Sequence, residues 1–188
     1  MVGNDYNALM QSVTLTPHPS TPCKLIRNFE VRASRLHGVL SLDYAIEGDI
    51  GGLYIPSPCP PRHADGLWRH TCFEAFLKGP GLAGYFEFNF APSTEWAIYR
   101  FEAYREGMTA VENAGPPAID LRRDATGFAL NARVGLNDSA TVLAGTALHL
   151  ALCAVIEEQG GTLSYWALQH PPGEPDFHHP NSFALRLD

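Results

Sequence analysis

The stretch Gly84–Met108 reads "GYFEFNFAPSTEWAIYRFEAYREGM", and in its first part three phenylalanines alternate with Glu87 and Asn89. Side chains of a β-strand point alternately to opposite faces of the sheet. The alternation therefore predicts a strand that buries its phenylalanines in a core and carries its polar residues on the other face. The turn residues of "APST" predict a hairpin into a second strand that contains Trp96 and Arg100.

The rest of the chain shows the same kind of pattern. Runs rich in Val, Ile, Phe, Tyr and Trp recur between clusters of Gly, Pro and Asn, and helical periodicity is not evident. This predicts an all-β fold, specifically a two-sheet antiparallel β-sandwich of jelly-roll type. We predict strands at Ser12–Thr16, Lys24–Leu36, Val39–Glu47, Trp68–Lys78, Tyr85–Ala91, Glu95–Arg105, Gly127–Val134, His149–Glu157, Leu163–Gln169 and Phe183–Leu187.

Three segments do not fit this strand pattern. The proline-rich "IPSPCPPRHADG" predicts a long loop, because proline cannot donate to a central sheet ladder. We interpret "ENAGPPAIDLRRDATG" as an irregular crossover between the sheets. Residues 136–146 are expected to hold one short helical turn, capped by Asn137 or Asp138.

Length and charge narrow the class of protein. The 188 residues suit one domain, 1–188, with residues 1–10 expected to be frayed. The net charge of −7 disfavours a nucleic-acid partner, and no apolar run is long enough for a membrane span. The amino-terminal residues lack the features of a secretory signal, so we expect a cytoplasmic protein. Four cysteines without a CxxC pair predict neither a zinc site nor a disulfide framework. The sequence does not predict the oligomeric state.

The strand before Gly84 carries a polar face of its own. In "WRHTCFEAFLK", Cys72 and Glu74 share one parity with Trp68 and His70, while the alternate residues from Phe73 to Leu77 are apolar. If "KGPGLA" forms a hairpin, we expect Glu74 to lie opposite Glu87 and Cys72 to lie opposite Asn89. Two opposed carboxylates repel each other unless a ligand or cation lies between them.

The second hairpin extends this predicted face. Pairing through "APST" is expected to place Asn89 opposite Trp96 and Tyr85 opposite Arg100. A solvated outer face of an antiparallel sheet is the alternative, but large aromatic side chains are unusual there. Aromatic rings combined with carboxylate, amide and guanidinium groups are typical of sugar recognition, because a pyranose has both an apolar face and hydroxyl groups.

These motifs resemble a known family. The runs "LWRHTCFEAFL", "YFEFNFAPSTEWAIYRFEAYREGM" and "LSYWALQHPPGEPDFHHPNSF" are similar to the bacterial DOMON-like group related to family 9 carbohydrate-binding modules, over about Leu67–Leu187. Those modules hold a sugar between two tryptophans, with a carboxylate on the strand that follows the first. The resemblance implies that Trp68 and Trp166 form this clamp, that Glu74 is the carboxylate, and that Asn89 and Arg100 lie at the polar rim.

The resemblance also bears on cofactors. Some DOMON families bind haem through Met and His, but here nothing pairs Met108 with a particular histidine, so we expect no haem. The related modules carry a structural calcium ion, although no Asp-rich loop marks such a site in this chain. Asp176 and His178 share a strand-like spacing and are weak candidates for a metal site.

Three functions remain open at this point. The first is non-catalytic binding of a small carbohydrate or related polar ligand, with no cofactor. The second is glycoside hydrolysis by Glu74 and Glu87, and the third is a protein-interaction module. Cys72 with His70 as its base is disfavoured as a catalytic pair, because no orienting group accompanies it. The predicted ligand-binding residues are Trp68, Glu74, Glu87, Asn89, Trp96, Arg100, Trp166 and His170.

Overall fold

The computed structural model describes residues 10–111, 115–136 and 147–188. In these ranges the chain forms thirteen strands and three single turns of 3-10 helix, Ile50–Gly52, Leu67–Arg69 and Pro180–Ser182. No helix in the described ranges is long and apolar enough to cross a membrane. The strands are β1 Gln11–Thr14, β2 Thr16–Pro17, β3 Ile26–Leu36, β4 Val39–Gly48, β5 Cys72–Lys78, β6 Tyr85–Phe90, β7 Trp96–Phe101, β8 Thr109–Ala110, β9 Ala118–Arg123, β10 Gly127–Gly135, β11 Leu148–Glu157, β12 Leu163–Ala167 and β13 Leu185–Leu187.

The strands form two sheets that pack face to face. Sheet 1 has the order β1-β3-β4-β10-β9, and sheet 2 has the order β2-β12-β11-β5-β6-β7-β8, with β13 paired to the start of β11. The paired strands in both sheets are antiparallel. The predicted two-sheet antiparallel β-sandwich is therefore confirmed.

The main hydrophobic core fills the space between the sheets. Phe29 and Tyr44 of sheet 1 contact Phe73 of sheet 2, with ring centroids 6.0 and 5.2 Å apart. The buried Tyr44 hydroxyl donates to the main-chain oxygen of Glu74 at 2.8 Å, so its polar atom is satisfied inside the apolar core. The alternate phenylalanines of β6 point into this core, as their parity predicts.

A second apolar layer covers the outer face of sheet 2. Phe76, Tyr99 and Val155 on that face are buried, and Phe177 from the segment after β12 packs against the cluster. The layer means that the outer face of sheet 2 is not a solvated surface, so that alternative reading of the sequence is excluded. Turn and loop residues Leu67, Phe177 and Phe183 pack on these side chains.

Several predicted elements differ from the structure. Trp68 does not begin a strand, because Gly66 adopts a left-handed φ of 74° and starts the 3-10 turn Leu67–Arg69. The segment interpreted as an irregular crossover contains β9, the edge strand of sheet 1. The predicted helical turn with its cap at Asn137 or Asp138 and almost all of the amino-terminal ten residues lie outside the described residues.

Candidate functional site

A cavity of about 480 Å³ lies between the outer face of sheet 2 and the loops that cover it. We call it the carboxyl cavity, because Glu74 and Glu87 are among its lining residues. Strands β5, β6 and β11 contribute its floor, and the Leu67–Arg69 turn, β7, β12 and the segments after β7 and β12 contribute its walls. The full lining is Trp68, Glu74, Glu87, Phe101, Arg105, Met108, Val155, Tyr165, Pro175, Phe177 and His178.

The pairing of β5 with β6 explains why the two carboxyl groups share this cavity. Glu74 lies opposite Asn89, and Glu87 lies opposite Phe76. The predicted register, with Glu74 opposite Glu87, is thus wrong by two residues. A shift of two residues leaves every side chain on its predicted face. The carboxyl groups therefore lie on neighbouring strands in a diagonal arrangement, on the same side of the sheet.

Asn89 contributes to the site through Glu87. It is fully buried, with 0% exposure, and its Nδ2 donates a hydrogen bond of 2.7 Å to Oε1 of Glu87. Its Oδ1 lies 3.5 Å from Sγ of Cys72, which acts as a weak donor. Because both polar ends of the amide have partners, Asn89 positions Glu87 and is not itself part of the cavity lining.

Glu74 is buried more deeply than an isolated carboxyl group usually is. Its exposure is 3%, and its Oε1 has no hydrogen-bond partner among the described residues. Burial, and next the charge of Glu87, raise the pKa of Glu74 well above its ordinary value. Burial also raises the pKa of Glu87, although the Asn89 hydrogen bond and the charge of Arg105 act against it. Both side chains are thereby shifted toward the neutral acid, which has a donor as well as acceptors.

Trp68 reaches the carboxyl cavity from the 3-10 turn. Its side chain is 37% exposed, and its ring packs edge-on against Tyr99 at a centroid distance of 6.0 Å. The Tyr99 hydroxyl in turn donates to Oδ1 of Asp65 at 2.7 Å, which ties the neighbouring loop to sheet 2. This half-exposed indole is suited to stack on an apolar ligand surface.

The other two tryptophans lie on the opposite side of sheet 2, in the core between the sheets. Trp96 pairs with Phe90 rather than with Asn89, so the predicted register is wrong by one residue and the indole points inward. Trp166 contacts Phe29 of sheet 1, with ring centroids 5.5 Å apart. Both are at most 7% exposed. The structure therefore does not bring Trp68 and Trp166 together as a clamp.

Arg100 and His170 also lie away from the carboxyl cavity. Arg100 pairs with Phe86 and lines a separate cavity of about 380 Å³ with residues of the β5–β6 turn. The predicted pairing of Arg100 with Tyr85 is wrong because of the same one-residue shift. Nε2 of His170 lies 2.8 Å from the main-chain oxygen of Thr16, where the imidazole contributes to loop packing.

The second wall of the cavity comes from residues that were not predicted from the sequence. Tyr165 lines the cavity and meets Phe177 edge-on at a centroid distance of 6.0 Å. Strand parity contained a signal for Tyr165, because it has the parity opposite to Trp166. Phe177 follows no strand periodicity, so only the course of the loop after β12 shows that it belongs here.

Arg105 and Asp176 form an ion pair at the cavity. Nη2 of Arg105 lies 2.7 Å from Oδ1 of Asp176, and the Tyr104 hydroxyl donates to the other oxygen of the same carboxylate. Burial raises the pKa of Asp176, but the hydrogen bonds from Tyr104 and Arg105 and the charge of Arg105 together outweigh it and hold the pKa below its ordinary value. Asp176 is consequently committed to protein partners.

His178 lies between aromatic rings with its polar atoms turned to the site. Its Nδ1 is 2.8 Å from the Tyr85 hydroxyl, and its Nε2 is 3.9 Å from Oε2 of Glu87. Burial, and next the nearby Arg105, lower the pKa of His178 to about 4, so the imidazole is neutral near pH 7. The 3.9 Å contact is therefore not an ion pair at that pH.

The metal-site candidates Asp176 and His178 belong to no larger cluster of ligands among the described residues. In the described part of the chain there is no group of three or more His, Cys, Asp or Glu side chains that could hold a metal ion.

Comparison with known proteins bears on the fold. No protein-family model matches the sequence, and no curated protein matches it. The structure is similar to that of a candidate carbohydrate-binding protein from Bacteroides uniformis, with a TM-score of 0.67 and 14% identity over 93% of this chain and 83% of that one. This likeness shows a common β-sandwich fold.

More distant structures are those of a family 9 carbohydrate-binding module from Caldicellulosiruptor kristjanssonii. The complex with glucose has a TM-score of 0.48 and 14% identity, over 92% of this chain and 81% of the module. The complex with cellotriose has the same TM-score and identity, over 87% of this chain and 75% of the module. The structural neighbours are thus a candidate carbohydrate-binding protein and a family 9 carbohydrate-binding module, whereas membership of the DOMON-like group stays a prediction.

Proposed function

We propose that the carboxyl cavity binds a small carbohydrate and performs no covalent chemistry on it. The observation that carries the proposal is the free Oε1 of Glu74, buried beside Glu87 on the floor of a cavity with aromatic walls. A buried polar atom without a partner costs free energy, about 1–3 kcal/mol. A ligand that supplies hydrogen bonds at this depth recovers that cost.

A pyranose fits both parts of the cavity lining. Its hydroxyl groups donate to and accept from the carboxyl groups of Glu74 and Glu87, while its C–H surface packs on Trp68, Tyr165 or Phe177. The volume of about 480 Å³ falls in the range of roughly 300–1,000 Å³ that is usual for small-molecule sites. The fold shared with a candidate carbohydrate-binding protein agrees with this assignment.

Hydrolysis by Glu74 and Glu87 is less well supported. A retaining glycosidase needs one ionised carboxylate as its nucleophile and one neutral acid. Here burial raises the pKa of both groups, and neither has an Arg or Lys side chain bonded to it that stabilises the anion. The arrangement favours two groups that hydrogen-bond a ligand.

Isothermal titration calorimetry with neutral mono- and disaccharides tests the proposal. Tyr165→Ala removes a cavity wall and should weaken binding of any sugar that the unaltered protein binds by about tenfold or more, which corresponds to 1.4 kcal/mol. Tyr54→Ala is the matched control, because Tyr54 is exposed and lies outside the cavity lining. Equal affinities of the two variants would contradict the proposed site. Chromatography of the incubated sugar then separates binding from hydrolysis.

A further inference from the structure

Among the described residues, no Arg or Lys side chain is bonded to the carboxyl groups on the cavity floor. Arg105 lines the same cavity, but its guanidinium is bonded to Asp176 at 2.7 Å. His178 is the other basic side chain in the lining, and it is neutral near pH 7. Arg105 is bonded to Asp176 rather than to Glu87, although its charge acts on Glu87, so the acidic groups of the lining are Glu74 and Glu87.

The other titratable groups packed around Glu74 and Glu87 are neutral and add no charge to the cavity. Cys72 precedes Glu74 on β5, and Cys153 lies opposite Glu74 on β11. Burial raises the pKa of both thiols, so they are neutral. Tyr85 on β6 and Tyr99 on β7 are also shifted toward the neutral form, with burial as the first cause. An ionised Glu74 or Glu87 therefore makes the floor of the cavity an anionic site.

The walls favour the same kind of ligand. Trp68, Phe101, Tyr165 and Phe177 place four aromatic rings in the lining. The face of an aromatic ring attracts a cation within about 6 Å of its centroid, and the attraction grows when water is excluded. A compact ammonium group carries three donors, which suits a site with an unpartnered, buried carboxyl oxygen.

We propose that the ligand is a sugar with a free ammonium group, of the hexosamine class, and that Glu74 and Glu87 hold the ammonium while the aromatic walls hold the ring. This inference rests on the proposed carbohydrate function and narrows it. The ammonium takes the place of the proton on the carboxyl group. That proton leaves to the solvent, so the charge of the side chains falls by one, the ammonium adds one, and the total charge of the cavity is unchanged.

The experiment compares D-glucosamine with D-glucose and N-acetyl-D-glucosamine by calorimetry at pH 6, where an aliphatic amine is protonated. We expect glucosamine to bind about tenfold or more tighter than both neutral sugars, a difference of 1.4 kcal/mol. Titrations in two buffers with different ionisation enthalpies should show release of a proton with glucosamine only. Affinity for glucosamine should rise with pH as Glu74 ionises.

Two substitutions test whether the preference for glucosamine over glucose depends on Glu74. Glu74→Gln keeps the size of the side chain and removes the charge, so the ratio of glucosamine to glucose affinity should fall to about one. Glu30→Gln on sheet 1 makes the same change in net charge, and the ratio should stay as in the unaltered protein. Thermal unfolding of both variants establishes that they are folded, and Glu87→Gln serves as a second variant if Glu74→Gln is not.

The outcomes separate this inference from the proposed function. If glucose binds and glucosamine binds no tighter, the ammonium inference fails and carbohydrate binding stands. If none of the three sugars binds the folded protein, the carbohydrate function fails and the inference fails with it. If ethanolamine, an ammonium without a sugar ring, binds as tightly as glucosamine, the sugar is not recognised and the proposal is overturned.

Discussion

Glu74 lies directly opposite Asn89 in the pairing of β5 with β6, yet the amide of Asn89 donates to Glu87 on its own strand. The amide therefore satisfies one carboxyl group, whereas Oε1 of the other has no hydrogen-bond partner in the part of the chain that the structure describes. Both carboxyl groups line the same cavity, and the buried side chain of Asn89 determines which of them has a hydrogen-bond partner.

Replacing Asn89 by Ala should destabilise the protein by about 1–3 kcal/mol, because Glu87 loses its buried hydrogen bond. The pKa of Glu87 should rise further in the variant, because the hydrogen bond from Asn89 lowers this pKa in the unaltered protein. Urea unfolding measures the loss of stability. Asn131→Ala is the control, because Asn131 bonds Asp43 on the half-buried outer side of sheet 1, where water can replace it. An equal loss in both variants would show that burial of the Glu87 contact is unimportant.

Glu74→Gln should change how stability depends on pH. The pKa of Glu74 is raised in the folded protein, so folding favours its protonated form. Its stabilising contribution is full below the ordinary value of 4.5 and is lost as the pH rises through the raised folded value. The free energy of unfolding of the variant should therefore increase relative to the unaltered protein between pH 5 and 8. A difference that is constant over this range, measured by urea unfolding, would refute the prediction.

His178 should show the opposite dependence. Its pKa in the folded protein is about 4, below the ordinary value of 6.5, chiefly because it is buried. Its contribution to stability is present above pH 6.5 and is lost as the pH falls toward 4. NMR titration of the ring protons should give a pKa near 4, with His178→Gln assigning the resonance. A midpoint near 6.5 would mean that the imidazole is solvated.

Trp68 and Trp166 should respond differently to replacement by Ala. Trp68 is half-exposed at the carboxyl cavity, so Trp68→Ala should weaken sugar binding and change the free energy of unfolding by less than about 1 kcal/mol. Trp166 is packed in the core, and Trp166→Ala should cost about 3–5 kcal/mol of stability. Calorimetry and chemical denaturation measure the two effects. Loss of stability in Trp68→Ala equal to that in Trp166→Ala would contradict the assigned positions.

Alternation along single strands predicted much of the site. The parity of β5 and β6 placed Glu74, Glu87 and Asn89 on one face, and a register error of two residues did not alter this. The same rule failed across the next turn. Thr94 adopts a left-handed φ of 70°, and the main chain closes the turn from Ala91 to Glu95, which pairs Phe90 with Trp96.

Such a turn is not evident from the sequence, because a β-branched residue rarely has positive φ. One residue of difference moved Trp96 into the core and Arg100 away from the carboxyl cavity. The walls of the cavity were missed for another reason. Arg105, Phe177 and His178 lie outside regular strands, so their positions depend on contacts between distant parts of the chain.

The carboxyl cavity lies outside the main core, between sheet 2 and a layer of loops. Substitutions at Phe177 or Pro175 can reshape the wall without altering the contacts that join the two sheets. The scaffold thus separates the contacts that join the two sheets from those that line the cavity, so the covering loops can change in sequence while the pair of sheets is kept.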